Sequence, residues 1–224
     1  TPAKKYKIIL TGATGMVGEG VLHECLQHDA IEKILVLNRK PCEINHPKLT
    51  EIIHSNFFDI QPLEPLLKGY DACFFCLGVS SVGMNEEQYY QMSYILTMHF
   101  AQTVSKQNPG MIFCYVSGAG TDSSEKGRMM WARVKGKTEN DLTKLPFKAV
   151  YNFRPGYMHS TPGLKNTLPA YKYISWMYPF ARKFFPNYVS TLAELGQAMI
   201  YVATQGYEKP ILEIKDFVPL TKKG

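Results

Sequence analysis

The run Tyr6-Lys7-Ile8-Ile9-Leu10, followed at once by Thr11-Gly12-Ala13-Thr14-Gly15-Met16-Val17-Gly18, restricts the fold of this chain more than any other feature. An apolar β-run leads without a spacer into Gly12, Gly15 and Gly18. Beyond them Val17, Val21, Leu22, Cys25 and Leu26 share one helical face. Strand, glycine turn and amphipathic helix in that order open a βαβ unit. Glycines there permit a sharp turn, a close approach of backbone to ligand, and tight helix–strand packing. The helix start offers unbonded N–H groups and a positive dipole end, which suits phosphate. The expected ligand is a dinucleotide; a purely structural turn is the competing reading.

The rest of the chain supports that opening. Further β-rich runs are expected at 34–37, 49–53, 71–77, 111–116 and 149–153, with helical patterns at 86–106 and 128–145 and a short helical piece at 62–67. Such alternation predicts an α/β fold, a doubly wound parallel sheet (Rossmann fold) with helices on both faces. Beyond Gly156 the pattern loosens, with Pro169, Pro179 and Pro186 among many aromatics. Thr191 and Glu194 then form a capping-box pattern before an apolar run at 195–203, and 211–214 reads as a closing strand. We expect one domain over residues 1–224, with 157–190 as a cap, lid or interface segment. The final stretch is expected to form a small C-terminal lobe on the substrate side, over the carboxyl edge of the sheet.

Composition narrows the function classes. At 224 residues the chain can bury roughly 70% of its unfolded surface without staples. No run approaches about 18 apolar residues, so no transmembrane helix is expected. Thr1 to Lys7 lacks the apolar core of a signal peptide, and the expected location is cytoplasmic. Of five cysteines, Cys73 and Cys76 form a C-x-x-C inside an apolar run, which reads as buried packing thiols; no metal site is expected. The net charge of +6 is dispersed and carries no nucleic-acid signature. It suits an anionic phosphate ligand equally well.

The end of the second strand indicates which dinucleotide. An acidic residue there would hold a ribose 2′-hydroxyl, but the position is taken by Asn38, followed by Arg39 and Lys40. A guanidinium pairs a 2′-phosphate through its planar fork, where a carboxylate would repel it. NADP(H) is expected over NAD(H).

On these motifs the chain resembles the short-chain dehydrogenase/reductase superfamily, in its extended and atypical branches. T-G-A-T-G-x-V-G at Thr11–Gly18 is similar to that branch's glycine signature. The resemblance implies that Asp59-Ile60 meets the adenine and that Cys76-Leu77-Gly78 lies against the cofactor. It implies Ser117 as the catalytic serine, and the backbone of Arg154-Pro155-Gly156 along the nicotinamide. It also implies a Tyr-x-x-x-Lys pair, and here the chain departs: Trp131-Ala132-Arg133-Val134-Lys135 keeps the lysine and replaces the tyrosine. An indole N–H only donates a hydrogen bond, so Trp131 cannot be the general acid. This loss, with V-S-G-A-G at Val116–Gly120 and V-K-G-K-x-E at Val134–Glu139, resembles a Tat-interacting-protein-like, nucleoside-diphosphate-sugar-epimerase-like subgroup.

Other proton donors are Tyr157, Tyr115 and His159, each also readable as a packing or rim residue. The aromatic, basic stretch 171–185 reads as a pocket lid or a dimer surface, with an interfacial membrane helix as the remaining option. Two functions follow. One is an NADP(H)-dependent oxidoreductase or epimerase-like enzyme on a small carbonyl or alcohol, with Ser117 on the substrate oxygen and Lys135 on the nicotinamide ribose. The other is an NADP(H)-binding sensor or regulatory protein without catalysis.

Overall fold

The computed structural model describes residues 4–167 and 175–222. In chain order its elements are β1 (Tyr6–Thr11), α1 (Met16–Gln27), β2 (Ile31–Asn38), β3 (Leu49–Ile53), β4 (Ala72–Phe75), α2 (Glu86–Tyr90), α3 (Leu96–Gln107) and β5 (Ile112–Val116). There follow α4 (Met130–Leu142), β6 (Ala149–Arg154), β7 (Tyr157–His159), α5 (Tyr178–Phe184), β8 (Val189–Thr191), α6 (Leu192–Gln205), β9 (Ile211–Glu213) and α7 (Ile214–Phe217). A seven-stranded sheet runs in the order β3-β2-β1-β4-β5-β6-β9. Each neighbouring pair in it is parallel.

Strand side chains alternate between faces, and here both faces are apolar, so each needs a helical cover. Ile8, Leu10, Ile34, Val36, Phe74 and Cys114 enter one cluster with Val21 and Leu22 of α1 and Leu195 and Met199 of α6. Ile9, Leu35, Leu37, Phe75, Phe113 and Tyr115 enter the other with Leu96, Phe100 and Val104 of α3 and Leu142 of α4. The fold is thus the doubly wound Rossmann type that the alternation predicts. After β3 the chain crosses to the far side of β1, and this reversal opens a crevice between the carboxyl ends of β1 and β4.

Several expectations change. β2 begins at Ile31, three residues early, because the exposed Glu32 and Lys33 mask its start as a strand. β4 stops at Phe75, leaving Cys76-Leu77-Gly78 as a turn. The helix expected over 86–106 is divided by a π-helical turn at Gln91–Ile95. The last long helix does not lie over the carboxyl edge: α6 packs on α1, flanking the sheet. Gly20 and Gly196 make that crossing close, since a Cβ on Gly20 would sit 2.7 Å from Leu192 and one on Gly196 2.8 Å from Glu24. β9 extends the sheet, and β7 and β8, only three residues each, form a small parallel sheet of their own. The Leu168–Ile174 part of the aromatic stretch falls outside the described residues.

Candidate functional site

β1 delivers the glycine turn to the crevice. Gly12 has φ 79°, a region that disfavours side chains, and its α-carbon faces the turn after β4. A Cβ there would lie 2.8 Å from the Cys76 carbonyl and 2.9 Å from the Leu77 nitrogen, while a Cβ on Gly18 would overlap the Gly12 carbonyl oxygen. Gly15 N–H donates to Gly12 C=O at 3.0 Å and closes the turn. Gly15 then stands as N-cap of α1 with no side chain to cap it. Glu19 N–H donates to Gly15 C=O at 2.9 Å, so the N–H groups of Met16, Val17 and Gly18 precede the first helical bond. Thr14 is exposed, Met16 is turned into the core, and the buried Thr11 hydroxyl has no partner among the described residues. The result is a cradle of bare backbone donors, and it fits a diphosphate.

β2 delivers the second part. Asn38 is buried and its side-chain N–H donates to the Glu51 carboxylate at 2.7 Å. The same carboxylate oxygen accepts Cys42 N–H at 2.9 Å, which pins the loop and leaves Arg39 and Lys40 exposed. Beside the loop is a cavity of about 70 Å³, bounded by Arg39, the Ser55–Phe58 turn, Leu77, Gly78, Met92 and Leu96. Met92 belongs to the π-helical turn, and Leu96 directly follows it. Asp59 is exposed and its carboxylate accepts Gln61 N–H at 3.2 Å, while Ile60 is buried in the core. The residues after β3 that reach the cavity are therefore Ser55, Asn56, Phe57 and Phe58. None of these side chains is a carboxylate, so the signal that singles out Asp59 in the sequence does not extend to them.

β5 and β6 deliver the third part. Ser117 N–H donates to Phe153 C=O at 2.8 Å, and Ala119 N–H to Pro155 C=O at 3.0 Å, so the Ser117 loop and the Arg154-Pro155-Gly156 turn are stitched together. Ser117 Oγ lies 3.0 Å from Thr121 Oγ1, and Thr121 donates to Gly118 C=O at 2.7 Å. With that proton committed, Ser117 is the donor of the pair. Lys135 Nζ donates to Tyr115 Oη at 3.2 Å and to Val116 C=O at 3.4 Å. Burial pulls the Lys135 ammonium below its ordinary pKa. Burial also pushes the Tyr115 phenol up, leaving it neutral. Trp131, one turn before Lys135, lays its ring beside Gly118 and Gly120, where added Cβ atoms would stand 3.6 and 3.5 Å from it.

The Arg154 side chain turns away into a buried fork on Glu139, Nε to Oε1 at 3.0 Å and Nη2 to Oε2 at 2.5 Å. A third bond, again from Nη2, reaches Ser123 Oγ at 2.6 Å. Gly156 backs onto Tyr188, and Tyr157 N–H donates to the Tyr188 carbonyl at 3.0 Å as β7 pairs with β8. The His159 ring stacks on Tyr178 at 4.2 Å. On the glycine-turn side, Glu19 accepts Lys165 N–H at 2.9 Å and Asn166 N–H at 2.7 Å, fastening the loop after β7 across α1. Among the described residues no three His, Cys, Asp or Glu side chains gather as metal ligands. The thiols of Cys25, Cys73, Cys76 and Cys114 are all raised by burial, as packing thiols are.

Glycine cradle, β4 turn and post-β5 serine all lie within or beside residues 8–127, which match the model of the NAD dependent epimerase/dehydratase family. The chain belongs to that family. The protein HTATIP2 of Rattus norvegicus is 24% identical over 186 residues, 80% of this chain and 69% of its own. The mitochondrial protein FMP52 of Candida glabrata is 25% identical over 154 residues. That match takes 67% of this chain and spans 63% of the relative, a little under two thirds of its length. Among solved structures, Bordetella bronchiseptica WbmF in complex with NAD+ superposes with a TM-score of 0.66 at 14% identity, over 100% of this chain and 78% of that one. A short chain dehydrogenase family protein from Francisella tularensis gives 0.64 at 14% identity, over 93% and 96%. These likenesses extend the family's fold beyond the matched segment. Among the described residues no helix is long and apolar enough to cross a membrane.

Proposed function

We propose that this family member is an NADP(H)-binding oxidoreductase or epimerase-like enzyme of the atypical short-chain type, acting on a small carbonyl or alcohol. The observation that carries the reading is the convergence of the Gly12–Gly18 cradle, Arg39 and the Ser117–Lys135 region on one edge of the sheet. The bound cofactor would supply a hydride donor or acceptor.

The chain's own residues divide the remaining work. Backbone N–H groups of Met16, Val17 and Gly18 hold the pyrophosphate, with Thr11 and Thr14 flanking it. Arg39 and Lys40 pair the adenine-ribose 2′-phosphate; Asn38 is neutral, Glu51 is occupied by it and by Cys42 N–H, and among the described residues no carboxylate lines the cavity at Arg39. The cavity between Asn56, Phe57, Leu77 and Gly78 takes the adenine. The backbone of Arg154-Pro155-Gly156 lines the nicotinamide side, with the Arg154 side chain held out of the site. Ser117 holds the substrate oxygen, its hydroxyl proton turning from Thr121 to a carbonyl. Lys135 holds the nicotinamide ribose and, with a proton loosened by burial, serves as the acid that Trp131 cannot be. Tyr157 is the alternative donor.

Calorimetric titration with NADPH and NADH, then NADPH consumption with a panel of aldehydes and ketones, tests the reading. NADPH should bind the tighter, and turnover should vanish in Lys135→Met while surviving Tyr157→Phe. Turnover that survives Lys135→Met and is lost with Tyr157→Phe moves the acid to Tyr157. The placement of the Trp131 indole beside Gly118 and Gly120 favours one second reading, a non-catalytic NADP(H)-binding sensor. Tight NADPH binding without consumption of any carbonyl would establish it.

A further inference from the structure

Residues 142–193 contain no aspartate or glutamate, in a chain with 19 acidic residues. The same stretch carries Lys144, Lys148, Arg154, Lys165, Lys172, Arg182 and Lys183. Within it, the single 3-10 turn Ser175–Met177 runs into α5 and exposes Trp176 (70%), Phe180 (64%) and Phe184 (65%), followed by Phe185 (61%) and Tyr188 (68%). Exposed apolar side chains on a monomer are normally scattered singly, and a contiguous aromatic set marks an interaction face.

The face is built rather than frayed. Phe180 and Phe184 are four residues apart on α5, which puts them on one face of it, and the exposed Trp176 precedes them on the 3-10 turn that leads into the helix. Tyr178 and Arg182, also four apart, lie on the opposite side and fasten the helix to the protein. Tyr178 stacks on His159, and Arg182 donates to the Glu194 carboxylate at 2.5 and 3.1 Å and to Val189 C=O at 2.7 Å. Lys183 stands beside the stripe, its Nζ 5.8 Å from the Phe184 ring centroid, with no carboxylate partner among the described residues. The helix is thus held by one side while the other offers aromatics flanked by a free ammonium.

We propose that this face docks the protein reversibly on the surface of an anionic phospholipid bilayer. Trp, Tyr and Phe rings settle at the boundary between headgroups and acyl chains, and neighbouring cations meet lipid phosphates. A second copy of the chain fits less well: a two-fold contact through this stripe would set each Lys183 against its twin's cations, with no acid in residues 142–193 to relieve them. A pocket lid fits less well too, because α5 turns its Tyr178 and Arg182 side to the protein and the aromatic face away from it.

The test is co-sedimentation with vesicles of phosphatidylcholine alone and with about a third phosphatidylserine, with the tryptophan emission followed in parallel, to which Trp131 adds a second signal beside that of Trp176. Serine-lipid vesicles should raise partitioning about tenfold, reversed by high salt, with a blue shift of the emission. Phe180→Ser with Phe184→Ser should abolish binding, and Lys183→Glu should remove its dependence on phosphatidylserine. Both variants should keep the wild-type unfolding midpoint. If either does not, the salt- and lipid-dependence of the wild-type emission decides alone. Absence of vesicle binding, equal binding to both compositions, or undiminished binding by the doubly substituted protein overturns the proposal. So does a vesicle-inert protein whose dimerisation Phe180→Ser abolishes, which would assign the face to a second copy.

Discussion

On the proposed function, Arg39 and Trp131 are the two residues on which the chemistry of the site turns, Arg39 for the choice of cofactor and Trp131 for the absence of the usual acid. Arg39 borders the cavity, and among the described residues that line it no other is charged. Arg39→Ala should weaken NADPH binding by about 1–3 kcal/mol and leave NADH binding almost unchanged, measured by calorimetry. Equal losses for both cofactors would remove the 2′-phosphate from the account. Trp131→Tyr should install a titratable phenol one turn before Lys135 and raise the rate of NADPH-dependent carbonyl reduction, about 10²-fold or more if it recreates the usual acid. Gly18→Ala probes the cradle itself: its Cβ would overlap the Gly12 carbonyl, so about 2–3 kcal/mol of stability should go together with cofactor binding. These residues were legible from the sequence because the signals are local, glycines three apart after a strand and a cation directly following Asn38. Asn56 and Phe57 were not, since nothing in an uncharged Ser-Asn-Phe turn announces that it faces a cavity.

At the scale of elements, α4 and α6 show how local chemistry fixes a helix. Asp141, at the end of α4, is pushed up by burial but more than offset by Lys144, Lys137 and the Tyr94 hydroxyl, which hold it at about 2. A carboxyl depressed in the folded state stabilises above its unfolded pKa of about 3.9, and that stability drains away as pH falls through the folded value. Asp141→Asn should therefore lower stability by about 1 kcal/mol at neutral pH, with the two lysines partly screened by water, and the gap should close between about pH 4 and pH 2. Urea unfolding at stepped pH measures it, and a gap independent of pH would deny the ion pairs their role. The Thr191–Glu194 capping box at α6, expected from sequence spacing, is present in both directions at 2.9 and 3.0 Å. The central strands were readable because both of their faces are buried, so each stands in the sequence as a short continuous apolar run. The π-helical turn at Gln91–Ile95 was not, because no residue there breaks the helical pattern. Strands as short as β7 and β8 carry too few residues for alternation to register.

Across the whole molecule, the contacts that join distant segments had no sequence signature. Glu19 binds the backbone of residues 165 and 166, 146 and 147 positions further along the chain, and Gly20 and Gly196 let α1 and α6 touch. The Glu139–Arg154 fork is the buried charged member of this set, with side chains only 1% and 11% exposed. Glu139→Gln would strand the guanidinium in the interior and should destabilise the fold by about 3–5 kcal/mol, seen as a lowered unfolding midpoint. Replacing both partners together with apolar residues should recover much of that loss, as no charge is then left unpaired. Glu139 stands one helical turn beyond Lys135 on α4, and Arg154 ends β6 just before the Pro155-Gly156 turn. The fork therefore works as an index pin. It fixes how far α4 has slid along the sheet, and so it sets the height at which the Lys135 ammonium meets whatever lies above Ser117.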